Sequence, residues 1–91
     1  MDIQWTNKAL SDLDRLHEFL ALIDQDAAAR ALRALVSAPD VLLANPRIGE
    51  LLPEFSPREV RRILVRQYEI RYEIKNTAIY ILRVWHTREH R

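Results

Sequence analysis

The stretch from Val60 to Arg91, VRRILVRQYEIRYEIKNTAIYILRVWHTREHR, decides how this chain folds. In its middle Tyr68, Ile70, Tyr72 and Ile74 alternate with Glu69, Arg71, Glu73 and Lys75. Successive side chains of a strand point to opposite faces, so this is the pattern of a half-buried antiparallel strand. Lys75-Asn76-Thr77 supplies a tight turn. Ala78 to Trp85 is apolar on both faces apart from Arg83, as an interior strand requires. With the strand before Tyr68, the region from Arg58 onward reads as a three-strand antiparallel meander.

Upstream the period changes. Asn45-Pro46-Arg47-Ile48-Gly49 ends a helical region, and Gly49, the single glycine, marks the position where a positive φ is expected. Pro53 and Pro57 keep the following segment extended, an irregular connector into the sheet. Ala27 to Val36 is rich in strong helix formers, and Leu32, Leu35, Val36, Leu42 and Leu43 carry an apolar stripe past Pro39. This predicts one kinked helix from Asp26 to about Ala44, the alternative being a break followed by a separate short helix. Leu10, Leu13, Leu16 with His17, Leu20 and Ile23 recur at helical spacing, capped by Thr6 or Asn7, and predict a helix to about Leu22. Ile3 and Trp5 alternate with Asp2 and Gln4 as a short first strand, free to join the same sheet. The expected fold class is α+β: an N-terminal strand, an antiparallel helical hairpin, then the meander, forming a small twisted sheet in a single domain over residues 1–91.

Composition narrows the function classes. The chain has 91 residues, 48% of them hydrophobic, no cysteine and a formal charge of +1. A chain of this size buries roughly 60–65% of its unfolded surface, enough for one core with a modest stability margin. The absence of thiols excludes disulfides, thiol catalysis and thiolate metal sites, and fits a reducing compartment. No signal-like run opens the sequence and no segment has the length of a membrane span, so a cytoplasmic protein is expected. The near-neutral total conceals an asymmetry. Up to Pro57 nine acidic side chains face five basic ones, a net of −4, whereas from Arg58 onward nine basic face four acidic, a net of +5. A basic half of this kind points to an anionic partner, nucleic acid or an acidic protein segment.

Several pieces of the chain, taken in order, resemble the RelE/ParE family of toxins from type II toxin–antitoxin modules. The Trp5-Thr6 strand end is followed by Ala9-Leu10 and Asp12-Leu13; Asn45 to Gly49 closes the helical hairpin; Pro53-Glu54-Phe55 leads into Val60-Arg61; the hairpin around Tyr68, Ile70 and Tyr72 follows; and the run Leu82-Arg83-Val84-Trp85-His86-Thr87-Arg88-Glu89 ends it. The likeness is to the ParE branch, also called plasmid stabilisation proteins. The resemblance implies a twisted sheet packed on a helical hairpin and a cognate antitoxin whose C-terminal segment wraps the toxin. It also implies contact with operator DNA only through that antitoxin, and no cofactor. Two activities occur on such folds: ParE-like members inhibit DNA gyrase, and RelE-like members cleave mRNA on the ribosome.

Metal-independent RNA cleavage needs a base for the 2′-hydroxyl, cations for the phosphorane charge and an acid for the leaving oxygen. Here the resemblance offers Arg61 or Arg62 on the second strand, and His86 with Arg88 near the C-terminus; the nuclease candidates are Arg62, His86 and Arg88. Where the family often carries arginine, after Tyr68, stands Glu69, and no tyrosine follows His86. These departures favour the gyrase inhibitor over the endoribonuclease as the expected function. The target-binding candidates are Arg61, Arg62, Arg66, Arg83, Arg88 and Arg91. Their bland alternative is cross-strand pairing with carboxylates such as Glu69 and Glu73. Because of strand alternation, Arg61 and Arg62 cannot serve one site. His86 and His90 lie four apart with no carboxylate or thiolate motif beside them, so no metal site is expected. A third possibility is a module that only binds its antitoxin.

Overall fold

In a computed structural model, described here over residues 1–89, the expected α+β architecture is present as two layers. β1 (Asp2–Trp5) leads directly into α1 (Asn7–Ala21), a short turn gives α2 (Gln25–Ser37), and a 3₁₀ turn (Ala38–Asp40) joins it to α3 (Val41–Ala44). Then come β2 (Glu50–Leu51), a second 3₁₀ turn (Pro53–Phe55), β3 (Glu59–Val65), β4 (Tyr68–Lys75) and β5 (Ala78–His86). The five strands lie in the order β1-β5-β4-β3-β2, antiparallel except that β1 runs parallel to β5. The three-strand meander is therefore extended by one strand on each side.

The helices cover one face of the sheet. Ala9, Leu13 and Leu16 of α1, Ala31 and Leu35 of α2 and Leu42 of α3 pack on Tyr68, Ile70, Tyr72 and Ile74 of β4 and Ile79, Ile81 and Val84 of β5. Thr6 makes the β1–α1 junction. Its hydroxyl accepts from the Ala9 N–H as an N-cap and donates to the Ile81 carbonyl at 2.8 Å, tying the helix start to β5. Asp24 caps α2 through the N–H groups of Asp26 and Ala27.

The structure corrects the sequence reading in four places. Pro39 does not leave one kinked α-helix: the chain tightens to a 3₁₀ turn at Ala38–Asp40 and resumes as the short α3, because proline removes one N–H from the ladder. The connector holds the short edge strand β2, paired through Glu50↔Arg62 and Leu51↔Arg61. At the ends of the α1 stripe, Leu10 and Ile23 are exposed, so the buried stripe is narrower than the periodicity implied. Gly49 does not have a positive φ. It is needed for close approach, since a Cβ there would stand 2.5 Å from the Tyr72 hydroxyl oxygen and 2.7 Å from the Arg62 carbonyl oxygen. The Gly49 N–H donates to that hydroxyl, which donates to the Pro46 carbonyl, so Tyr72 fastens the connector to the core. The positive φ values fall instead at Arg66 and Asn76, the first residues of the two hairpin turns.

β5 also breaks strict alternation. Arg71 pairs with Arg83 but Tyr72 with Ile81, so Leu82 is an extra residue in the strand. Beyond this bulge Val84 and His86 share the helix-covered face with Ile81, while Arg83 and Trp85 turn to the opposite one.

Candidate functional site

The arginines of the basic half fall into two groups. On the face opposite the helices, Glu69 is almost completely buried, with both carboxylate oxygens held at 3.2 Å, one by Arg62 and one by Arg71. Arg62 also reaches Glu50 at 2.6 Å. Arg71 spreads over the rings of Trp85 and Phe55, 4.6 and 5.3 Å from their centroids, and so closes the site over the carboxylate. Arg61 is taken by Glu59 and by the Gly49 carbonyl at 2.8 Å, and Arg58 lies along Glu73. Arg58 and Arg47 in turn hold the carboxyls of Glu73 and Glu59 below their ordinary range by direct hydrogen bonding.

A second cluster closes the free side of β5. Past Trp5 the first strand has become α1, so the backbone groups of Val84 on that side meet no strand. Asp12 takes the strand's place. Its carboxylate accepts from the Val84 N–H at 2.9 Å, from Arg83 through two nitrogens and from Arg15. Arg15 donates onward to the Val84 carbonyl and to Glu89, and Glu89 accepts from the His86 N–H. Burial alone would raise the Asp12 carboxyl, but the hydrogen bonds from Arg83, Val84 and Arg15 outweigh it and hold the group below its ordinary value. Asp12 entered the sequence reading only within the family resemblance; the signal that could have singled it out is a carboxylate on the buried face of α1 beside Ala9, Leu13 and Leu16, whereas its partners Arg83 and Val84, 71 and 72 residues away, leave no local signal.

His86 and Arg62 do not meet. His86 pairs with Tyr68 across β4–β5 on the helix-covered face, whereas Arg62 stands on the other face with Glu69. The two imidazole nitrogens of His86 are engaged: Nδ1 accepts the Arg88 N–H and Nε2 lies 3.2 Å from the Gln67 side-chain oxygen, which assigns the Nε2–H tautomer. Its ring meets Tyr68 edge to face, centroids 5.3 Å apart. Arg88 and Arg66 are exposed, and neither belongs to an ion pair among the described residues. Arg91 and His90 lie outside the described residues. Among the described residues no group of three or more histidines and carboxylates is arranged to hold a metal ion, and no helix is long and apolar enough to cross a membrane.

The fold and sequence place this chain among the small toxins of two-gene modules. The profile of the family described as "ParE toxin of type II toxin-antitoxin system, parDE" matches residues 3–91, and the chain belongs to that family. It is 31% identical over 84 residues to "Toxin RelE2" of Caulobacter vibrioides, covering 92% of both chains. It is also similar to a solved structure titled "Chromosomal ParDE TA system from P. aeruginosa", with a TM-score of 0.76, 28% identity and 92% of each chain covered.

Proposed function

We infer that this toxin acts by binding: it inhibits DNA gyrase in the cytoplasm and is neutralised by a cognate antitoxin protein. Binding over cutting is supported by one observation, the opposite-face positions of Arg62 and His86. A phosphoryl-transfer step needs cations and a proton carrier within reach of one phosphate. Here Arg62 of β3 is spent on Glu50 and Glu69, and the imidazole is spent on Gln67 and the Arg88 N–H. Of the candidate target-binding arginines, those outside ion pairs among the described residues are Arg66 and Arg88, and Arg91 lies beyond the described residues.

Purified protein added to gyrase and relaxed plasmid tests this reading. The expected result is loss of supercoiling or accumulation of cleaved DNA; unimpaired supercoiling at saturating toxin would remove it. The RelE-like reading has one observation in its favour, since His86 and Arg88 line the same depression. Codon-positioned cuts on translating ribosomes that vanish in Arg88→Ala would establish that reading instead.

A further inference from the structure

The outer side of the helical hairpin, turned away from the sheet, leaves in water apolar groups that the helical periodicity would bury. Ala28, Ala31 and Leu35 of α2 and Leu42 of α3 are buried, whereas Val36 and Leu43 are 50% and 48% exposed and Leu10 of α1 is 46% exposed. Leu10 and Val36 stand equally far in sequence from the turn residue Ile23, so the antiparallel hairpin sets them at one level. Half-buried Leu32 lies one helical turn before Val36.

α2, the 3₁₀ turn and α3 form one ridge, since Ser37, Ala38, Asp40 and Val41 all keep right-handed helical backbone angles. Along its outer side Arg33, Val36, Asp40 and Leu43 follow one another at spacings of three and four, the spacing of a seam by which two helices pack. The seam alternates charged and apolar groups, and its two charges are opposite. Both are exposed, and neither belongs to an ion pair among the described residues. They do not neutralise each other within one chain, because two helical turns, about 10 Å, separate them. Asp26 continues the pattern one heptad earlier, but there the intervening seam residue is Ala29, so the large apolar groups belong to the Arg33–Asp40 half.

These features select the occupant. A phosphate backbone or an anionic membrane calls for cations alone, and this surface carries both signs. A two-fold axis answers it. With the axis through the seam near Val36, the ridges of two copies run antiparallel, which brings Arg33 of each copy to Asp40 of the other and sets Val36 against its own mate. The same patch serves on both sides, so each contact occurs twice.

We propose that this chain self-associates through the outer face of the α2–α3 ridge as a two-fold dimer. Reciprocal Arg33–Asp40 pairs fix its register, and Val36, flanked by Leu10 and Leu43, is the apolar group at its centre. The assignment does not depend on whether the toxin's target is gyrase or the ribosome.

Sedimentation velocity of the intact chain over a dilution series tests it. The wild type is expected to shift from monomer to dimer as concentration rises. Arg33→Asp and Asp40→Arg each leave like charges facing one another at both reciprocal contacts, and each should weaken association at least about tenfold. Mixed in equal amounts, the two variants should recover it to within about threefold, because each then offers the charge that the other lacks. Val36→Ser should weaken association as well, whereas Leu22→Ser, at the hairpin tip where Leu22 is 87% exposed, should leave it within about twofold. Circular dichroism checks that every variant is folded; should a single charge variant not be, the doubly exchanged Arg33→Asp/Asp40→Arg chain, expected to dimerise like the wild type, carries the test with Val36→Ser. A wild type that stays monomeric at the highest concentration reached, or charge variants whose mixture or double exchange fails to restore the dimer, overturns the proposal. So does an association lost in Leu22→Ser and kept in Val36→Ser.

Discussion

Asp12 shows how one buried carboxylate can stand in for a strand. It receives the backbone N–H of Val84 and the forks of Arg83 and Arg15. Removing it in Asp12→Ala leaves a buried donor and a guanidinium without their acceptor, a loss of roughly 3 kcal/mol measured by urea unfolding. Asp12→Asn keeps an acceptor for Val84 and should lose less. The same group sets part of the acid response. Its folded pKa is lowered, as are those of Glu59 and Glu73, so their stabilisation is complete above the unfolded values of about 4 and is lost as pH falls through the folded ones. Stability followed by circular dichroism should therefore decline below about pH 4, less steeply in Asp12→Asn. Arg66 presents the opposite case, a residue kept where the backbone would rather have another. Arg66→Asn should raise stability by about 0.5 kcal/mol, since asparagine tolerates a left-handed turn position; an unchanged unfolding midpoint would show that the turn bears no such cost.

At the scale of elements, period and punctuation carried most of what could be read. Tyr68 to Ile74 alternates so regularly that β4 and its inward face follow from it, and the apolar run Ala78 to Trp85 takes the interior place it implied, between β1 and β4. What escaped reading depends on contacts between distant segments. The Leu82 bulge falls where β5 leaves β1 after Ile81 and next meets Asp12 of α1 at Val84, and nothing within the strand itself encodes that meeting. Gly49 was recognisable as special, but its reason was the Tyr72 hydroxyl 23 residues away and not its own φ. Gly49→Ala should cost about 1–3 kcal/mol, because the new Cβ displaces the Tyr72 ring and the β3 backbone together. Tyr72→Phe, which removes only the hydroxyl bridging Gly49 and Pro46, should cost about 1 kcal/mol. Thermal melts of the two variants separate steric crowding from the lost hydrogen bonds, and equal losses would assign the whole effect to the hydroxyl.

For the whole molecule, a basic half in the sequence is not a basic surface in the fold. Arg58, Arg61, Arg62, Arg71 and Arg83 are neutralised by Glu73, Glu59, Glu50, Glu69 and Asp12, leaving Arg66 and Arg88 as the free guanidinium groups of that half among the described residues. Counting charges along the chain could not make this distinction, since each pairing depends on strand register. The two classes should respond differently to loss of charge. Arg62→Gln and Arg83→Gln strip a partner from a buried carboxylate, so they should lower the unfolding midpoint and reduce growth inhibition only as far as less folded protein accumulates. Arg66→Gln and Arg88→Gln remove exposed, unpaired charges and should leave stability within about 0.5 kcal/mol. If the toxin grips its target through these two side chains, they should nevertheless weaken growth inhibition and its salt sensitivity. Soluble protein per cell, unfolding midpoint and growth on graded induction, measured together for the four variants, separate the classes. Full toxicity in Arg66→Gln/Arg88→Gln at normal abundance would move the target-binding surface away from these two side chains.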